Sequence, residues 1–111
     1  MVPRLTAEFW VHAYLNRLRL ADIPAYVVAR GDATAGAVLV VCATLDRHAK
    51  ALQRSFDPIS GDRVWVPLTE GPETEVGMLV ARARARDPDL WVLELEDRHG
   101  RTLLEEEGLA G

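Results

Sequence analysis

Between Ala35 and Leu45 only Gly36 and Thr44 interrupt an apolar run, and nothing else in the chain constrains the fold as strongly. The stretch Ala37–Leu45 carries Val38, Val40 and Val41 and sits between turn-forming residues, which predicts a strand. Successive strand residues point to opposite faces, so apolar side chains at both odd and even positions load both faces of this one. It therefore reads as a central strand. The run is also far short of the roughly 20 residues a helix needs to cross a bilayer.

The neighbours of that strand follow in order. Ala25–Arg30 is short and β-branched and predicts a strand before it. Gly31–Gly36 is the turn between them, and Asp46-Arg47 a tight connection to a third strand, His48–Phe56. The turn residues of Asp57–Asp62 make a loop. Arg63–Leu68 follows as a fourth strand, with Pro67 pointing to a sheet edge or a strand end because it lacks a ladder donor. Leu90–Glu96 is a fifth, with Trp91, Leu93 and Leu95 on one face, and Arg101–Leu104 returns as a sixth across the Asp97–Gly100 turn.

Two segments have helical period. In Thr6–Ala21, Thr6 is the expected N-cap, Glu8 suits the first turn, and Pro24 stops the helix by disfavouring helical geometry at Ile23. Glu73–Asp87 has the apolar stripe Val76, Leu79, Val80 and Ala83, acids at its start and arginines at its end. The expected fold is α+β, in the order α-β-β-β-β-α-β-β. It has an antiparallel sheet of four to six strands, and two helices covering one face. The expected core is Phe9, Ala13, Leu20, Val27, Leu39, Val41, Val76, Leu79, Val80, Leu93 and Leu95.

A length of 111 residues fits one domain, residues 1–111, with a globular body of about residues 4–104 and a short acidic tail, residues 105–111, expected to fray. Hydrophobic residues at 49% are enough for a core and argue against disorder. A lone cysteine, Cys42, excludes an internal disulfide and a zinc site built on cysteine pairs. That usage, with no secretory signal in Met1–Leu5, predicts a cytoplasmic protein without a membrane segment. A net charge of −4 argues against nucleic-acid binding. Of 13 basic residues only Lys50 is lysine, a skew that genome base composition explains as readily as bidentate recognition.

Few residues offer chemistry. Gly31 to Gly36 has the glycine spacing of a phosphate loop, but the chain continues into a strand where such a loop needs a helix. Cys42 lies in an apolar strand, where burial makes a thiol inert. His12 shares a polar helix stripe with Glu8 and Asn16, His48 follows a turn and His99 occupies one. Asp97, His99 and the carboxylates Glu94 and Glu96 match no known metal-loop spacing, so no metal site is expected. Arg84 faces away from Arg82 and Arg86 on the helix, so the three do not form one basic patch. No catalytic residue and no cofactor is assigned.

The aromatic residues are more suggestive. Trp65 and Trp91 suit core filling. The first helix has an apolar arc, through Phe9, Ala13, Arg17, Trp10, Tyr14, Leu18 and Val11, about twice the width that one sheet covers. Chain termini or the second helix are one possible cover; a second copy of the same helix is the other. Trp10, Tyr14 and Arg17 have the residue types of interface hot spots. The candidate contact residues for a partner or ligand are Trp10, Tyr14, Arg17, Asp89 and Trp91.

Several motifs taken together resemble a known family. They are Thr6-Ala7-Glu8-Phe9-Trp10-Val11 with Ala13-Tyr14-Leu15, the Arg30-Gly31-Asp32 turn, Trp65-Val66, Asp87-Pro88-Asp89-Leu90-Trp91-Val92 and Glu96-Asp97-Arg98. From about Leu5 to Leu104 the chain resembles the short bacterial proteins catalogued as domain of unknown function 1491. The resemblance implies a small stand-alone bacterial domain, and no activity, cofactor or catalytic residue comes with it.

Three functions follow from the residues. The first is a non-catalytic interaction module that self-associates through helix 6–21 as a homodimer, or binds another protein. The second is a small-ligand binder or an enzyme using scattered charges, such as Arg17 with Glu8 or Asp89. The third, nucleic-acid binding, is disfavoured by charge. A flat apolar patch, a lined cleft and a basic stripe distinguish the three.

Overall fold

Seven elements form in a computed structural model that describes residues 6–56, 59–61 and 63–106. They are α1 (Ala7–Leu20), β1 (Ala25–Ala29), β2 (Val38–Ala43), β3 (His48–Phe56), β4 (Arg63–Pro72), α2 (Glu73–Arg86) and β5 (Trp91–Glu96). The strands make one five-stranded sheet in the order β1-β5-β2-β3-β4. The expected start of the body at residues 4 and 5, parts of the 57–62 loop and the tail beyond Glu106 lie outside the described residues.

Three of the four pairings are antiparallel. β2 and β3 pair about Val41 and Ala51, β3 and β4 along their whole length, and β1 and β5 about Val27 and Leu93. The fourth is parallel: β5 inserts between β1 and β2, with Val40 opposite Leu93. The sheet is thus mixed, and the expected meander is confined to β2-β3-β4. Pro67 lies on the edge strand β4, next to a register shift in its pairing with β3, both settings in which a sheet accepts proline.

Every residue of β2 is buried, as a central strand loaded on both faces requires. Val38, Val40 and Cys42 pack with Trp91, Leu93 and Leu95 under α1. Leu39 and Val41 pack with Ala49, Ala51 and Val92 under Val76 and Val80 of α2. The two helices therefore lie on opposite faces, not on one. The reason is the double-sided pattern of β2 itself, since either face left bare would expose a row of valines and leucines to water.

Helix α1 meets the sheet through Ala7, Trp10, Val11, Tyr14 and Leu18, which at 100° per residue span only one narrow face. Phe9 and Leu20 fall outside it and are 60% and 68% exposed, so their expected core positions are wrong. Ala13, Val27 and Leu79 are half-buried; the other six expected core residues are buried. Residues Arg101–Leu103 form no strand. The segment instead folds over α1, where the Tyr14 hydroxyl donates to the Thr102 carbonyl at 2.8 Å and Leu104 joins the core. This is the terminal cover that an over-wide α1 arc allowed for.

Candidate ligand groove

Helix α2 packs chiefly toward the β3-β4 end of its sheet face, and a space is left between it and the β1-β5 side. The result is a groove of about 370 Å³. Val41 and Val92 form its floor, Val76 and Val80 its α2 wall, and Val28 of the edge strand its rim. Gly77 and Ala81 keep the wall low. A Cβ built on Gly77 would meet no atom within 4 Å. The chain thus leaves unfilled a place that alanine would occupy, although mid-helix glycine is disfavoured by roughly 0.5–1 kcal/mol.

The ends of the groove carry opposite charge. Glu73 and Glu94 lie among its lining at one end of α2, and Arg84 at the other. Glu94 is half-buried on an interior strand and accepts a hydrogen bond from the Tyr26 hydroxyl. That bond, reinforced by desolvation and the repulsion of nearby carboxylates, pushes the Tyr26 phenol up to about 12. Arg84 is held by its Nη2, which donates to the Arg30 carbonyl at 2.8 Å. Its Nε is buried without an acceptor, and among the described residues no carboxylate pairs with it.

Away from the groove, several ionisable groups are tied into the scaffold. Asp97 is buried, and its carboxylate takes the Arg101 guanidinium at 2.8 Å and the Arg101 amide at 2.7 Å. The hydrogen bonds from the Arg101 side chain and backbone hold this carboxyl down at about 2. Burial pushes the Cys42 thiol up, consistent with an inert thiol, and pushes the Tyr14 phenol up. Among the described residues no three of His, Cys, Asp and Glu are grouped to hold a metal ion, and no helix is long and apolar enough to cross a membrane.

The five residues singled out from sequence do not converge on the groove. Trp10 and Tyr14 are 3% and 0% exposed, stacked on each other with Trp65 alongside Trp10 and Arg54 over both indoles. They are core residues because the helix turns them onto the sheet. Arg17 is exposed and pairs with Glu106 at 3.0 Å. Trp91 is buried; its Nε1 donates to the Asp32 carbonyl at 2.8 Å, and the Arg30 guanidinium lies over its ring.

Asp89 acts through its backbone. Its carbonyl receives the Asp32 amide at 2.9 Å and lies so close to the loop that a Cβ on Gly31 or Gly36 would stand 2.1 or 2.4 Å from it. The Asp32 carboxylate in turn accepts from the Thr34 and Ala35 amides. The carbonyls of Ala33 and Thr34 receive the first amides of α1, those of Glu8 and Ala7, while the Thr6 hydroxyl accepts from Phe9. The glycine spacing that suggested a phosphate loop therefore serves a corner where loop, helix start and β5 meet.

The profile of the DUF1491 protein family, described as a protein of unknown function, matches residues 5–105. The chain belongs to the DUF1491 family. It is similar to the crystal structure of a DUF1491 family protein from Caulobacter crescentus CB15, with 35% identity, a TM-score of 0.85, and coverage of 93% of this chain and 97% of that one. The NMR structure of a DUF1491 family protein from the same organism gives 35% identity, a TM-score of 0.81, and coverage of 95% and 96%. The solution structure of a protein from A. tumefaciens is 28% identical, covering 85% and 86% with a TM-score of 0.71. No curated protein matches the chain. In this DUF1491 protein the motifs that carry the resemblance are mostly scaffold. Thr6, Gly31, Asp32, Asp89 and Trp91 meet in the corner just described, and the tilted Trp10 and Trp65 rings lie together under Arg54.

Groove residues Gly77, Arg84 and Glu94 were not singled out from sequence as a site. Gly77 alone left a signal, as a glycine interrupting a helical stretch with no turn to make.

Proposed function

We propose that this protein is a non-catalytic binding protein whose ligand seats in the groove between α2 and the β1-β5 side of the sheet. The observation that carries the reading is a lined cleft of ligand size, apolar on its floor and polar only at its ends. At the acidic end the Glu94 carboxylate is already engaged by the Tyr26 hydroxyl, which donates to it. The test is an amide-resolved NMR titration with small amphiphiles. Saturable shifts confined to Val76, Gly77, Val80 and Val92 support the reading; their absence at millimolar ligand overturns it.

Self-association through α1 is the second reading, favoured by the exposure of Phe9 and Leu20 along one side of that helix. The surface involved is Phe9 and Leu20 with Arg17 between them, since Trp10 and Tyr14 are used inside the monomer. Sedimentation at micromolar concentration tests it. A monomer unaffected by Phe9→Glu ends this reading.

A further inference from the structure

We infer that the groove takes an amphipathic monocarboxylate of medium chain length, with its carboxylate at Arg84 and its aliphatic body on the valine floor. The inference deepens the binding reading and rests on it. Three observations select this chemistry.

The first is the state of Arg84. Its guanidinium is half-buried in the groove wall, one N–H is used by the Arg30 carbonyl, and Nε is buried without an acceptor. A partly desolvated charge with no counter-charge among the described residues is unfavourable, and a carboxylate meeting the guanidinium at its Nη groups relieves it. The Arg30 carbonyl holds the side chain in place beforehand, so little rotamer freedom is lost on binding.

The second is the floor. Val41, Val76, Val80 and Val92 present no hydrogen-bonding side-chain group, which suits an alkyl chain and penalises a polar body. At about 370 Å³ the groove is at the small end of ligand pockets, and it fits a single short chain. The third is the far end. Glu73 and Glu94 repel a second carboxylate, so the ligand is a monoacid with a fixed direction.

The experiment titrates the wild-type protein with octanoate, octanol, octylamine and the dicarboxylate suberate, reading groove amides by NMR. Octanoate is expected to bind saturably, at least roughly tenfold tighter than octanol, since a charge-assisted bond is worth that much. Octylamine and suberate are expected to bind more weakly than octanoate. Arg84→Met removes the preference of octanoate over octanol. Gly77→Leu, whose side chain meets open space in the groove, blocks both while leaving the protein folded. Equal affinity for octanoate, octanol and octylamine overturns the carboxylate inference but leaves the binding reading standing. An unresponsive groove overturns both. The comparison of octanoate with octanol decides the matter even where Arg84→Met fails to fold.

Discussion

Replacing Gly31 with alanine tests whether the corner at the head of α1 is a packing joint. The φ of Gly31 is not in the left-handed region, so alanine is not refused by its backbone. It is refused by contact: the added Cβ would lie 2.1 Å from the Asp89 oxygen and 2.7 Å from both Trp91 N and Trp91 Cδ1. Those atoms are anchored. The Asp89 carbonyl receives Asp32 N at 2.9 Å, Trp91 N donates to Ala37 at 2.8 Å, and Trp91 Nε1 donates to Asp32 at 2.8 Å. Relieving the clash means breaking or stretching these three bonds at a net of roughly 1 kcal/mol each. It also unseats a buried indole, which adds about another 1–2 kcal/mol. The smaller conformational entropy of the unfolded chain offsets about 0.4–1 kcal/mol. The net expectation is a loss of about 3–4 kcal/mol. In urea, read by tryptophan fluorescence, that lowers the midpoint by about 1.5–2 M for an m-value of about 2 kcal/mol/M. A fall of less than about 0.5 M would mean that the corner yields easily and that the glycine is not required by the Asp89 carbonyl.

Gly77→Ala is expected to act in the opposite direction, raising stability by roughly 0.5–1 kcal/mol, because its Cβ meets nothing and helical glycine is unfavourable; an unchanged or lowered urea midpoint contradicts this. Leu93→Ala, in the α1-side core, should lose about 2–5 kcal/mol, while Phe9→Ala should change stability by no more than about 0.5 kcal/mol, and equal effects would refute the orientation of α1. The Asp97 carboxyl is lowered from 3.8 to about 2, so its stabilising contribution is complete above pH 4 and is lost as the pH falls through 2. Acid titration of the urea midpoint should therefore show a loss in that window which Asp97→Asn removes, and an unchanged profile in the variant would refute the pairing.

Local pattern placed the elements, with helix and strand limits close to those observed at Ala7–Leu20, Glu73–Arg86, Val38–Ala43 and Trp91–Glu96. These depend on periodicity, capping and turn residues, all of which act within a few positions along the chain. The two-sided apolar pattern of Ala37–Leu45 made that strand central, and Pro67 marked the edge, because both are properties of a strand's own side chains and donors. The turn chemistry around Asp97–Gly100 was legible too, but not what followed it. The Thr102 carbonyl and the Leu104 side chain find partners on α1, nearly the whole chain away in sequence.

Only the tertiary structure decided which strands are neighbours. β5 enters between β1 and β2, parallel to β2, a choice that depends on burying Trp91, Leu93 and Leu95 beneath α1. The same packing turned Trp10 and Tyr14 inward and left Phe9 and Leu20 outside, although an apolar count along the helix treats all four alike. The groove belongs to this level entirely. Gly77 and Arg84 on α2 face Val92 and Glu94 on β5 only because that helix covers one side of its sheet face and not the other. Residues far apart in sequence come together through the burial of whole faces, and no window of the chain encodes which faces will meet.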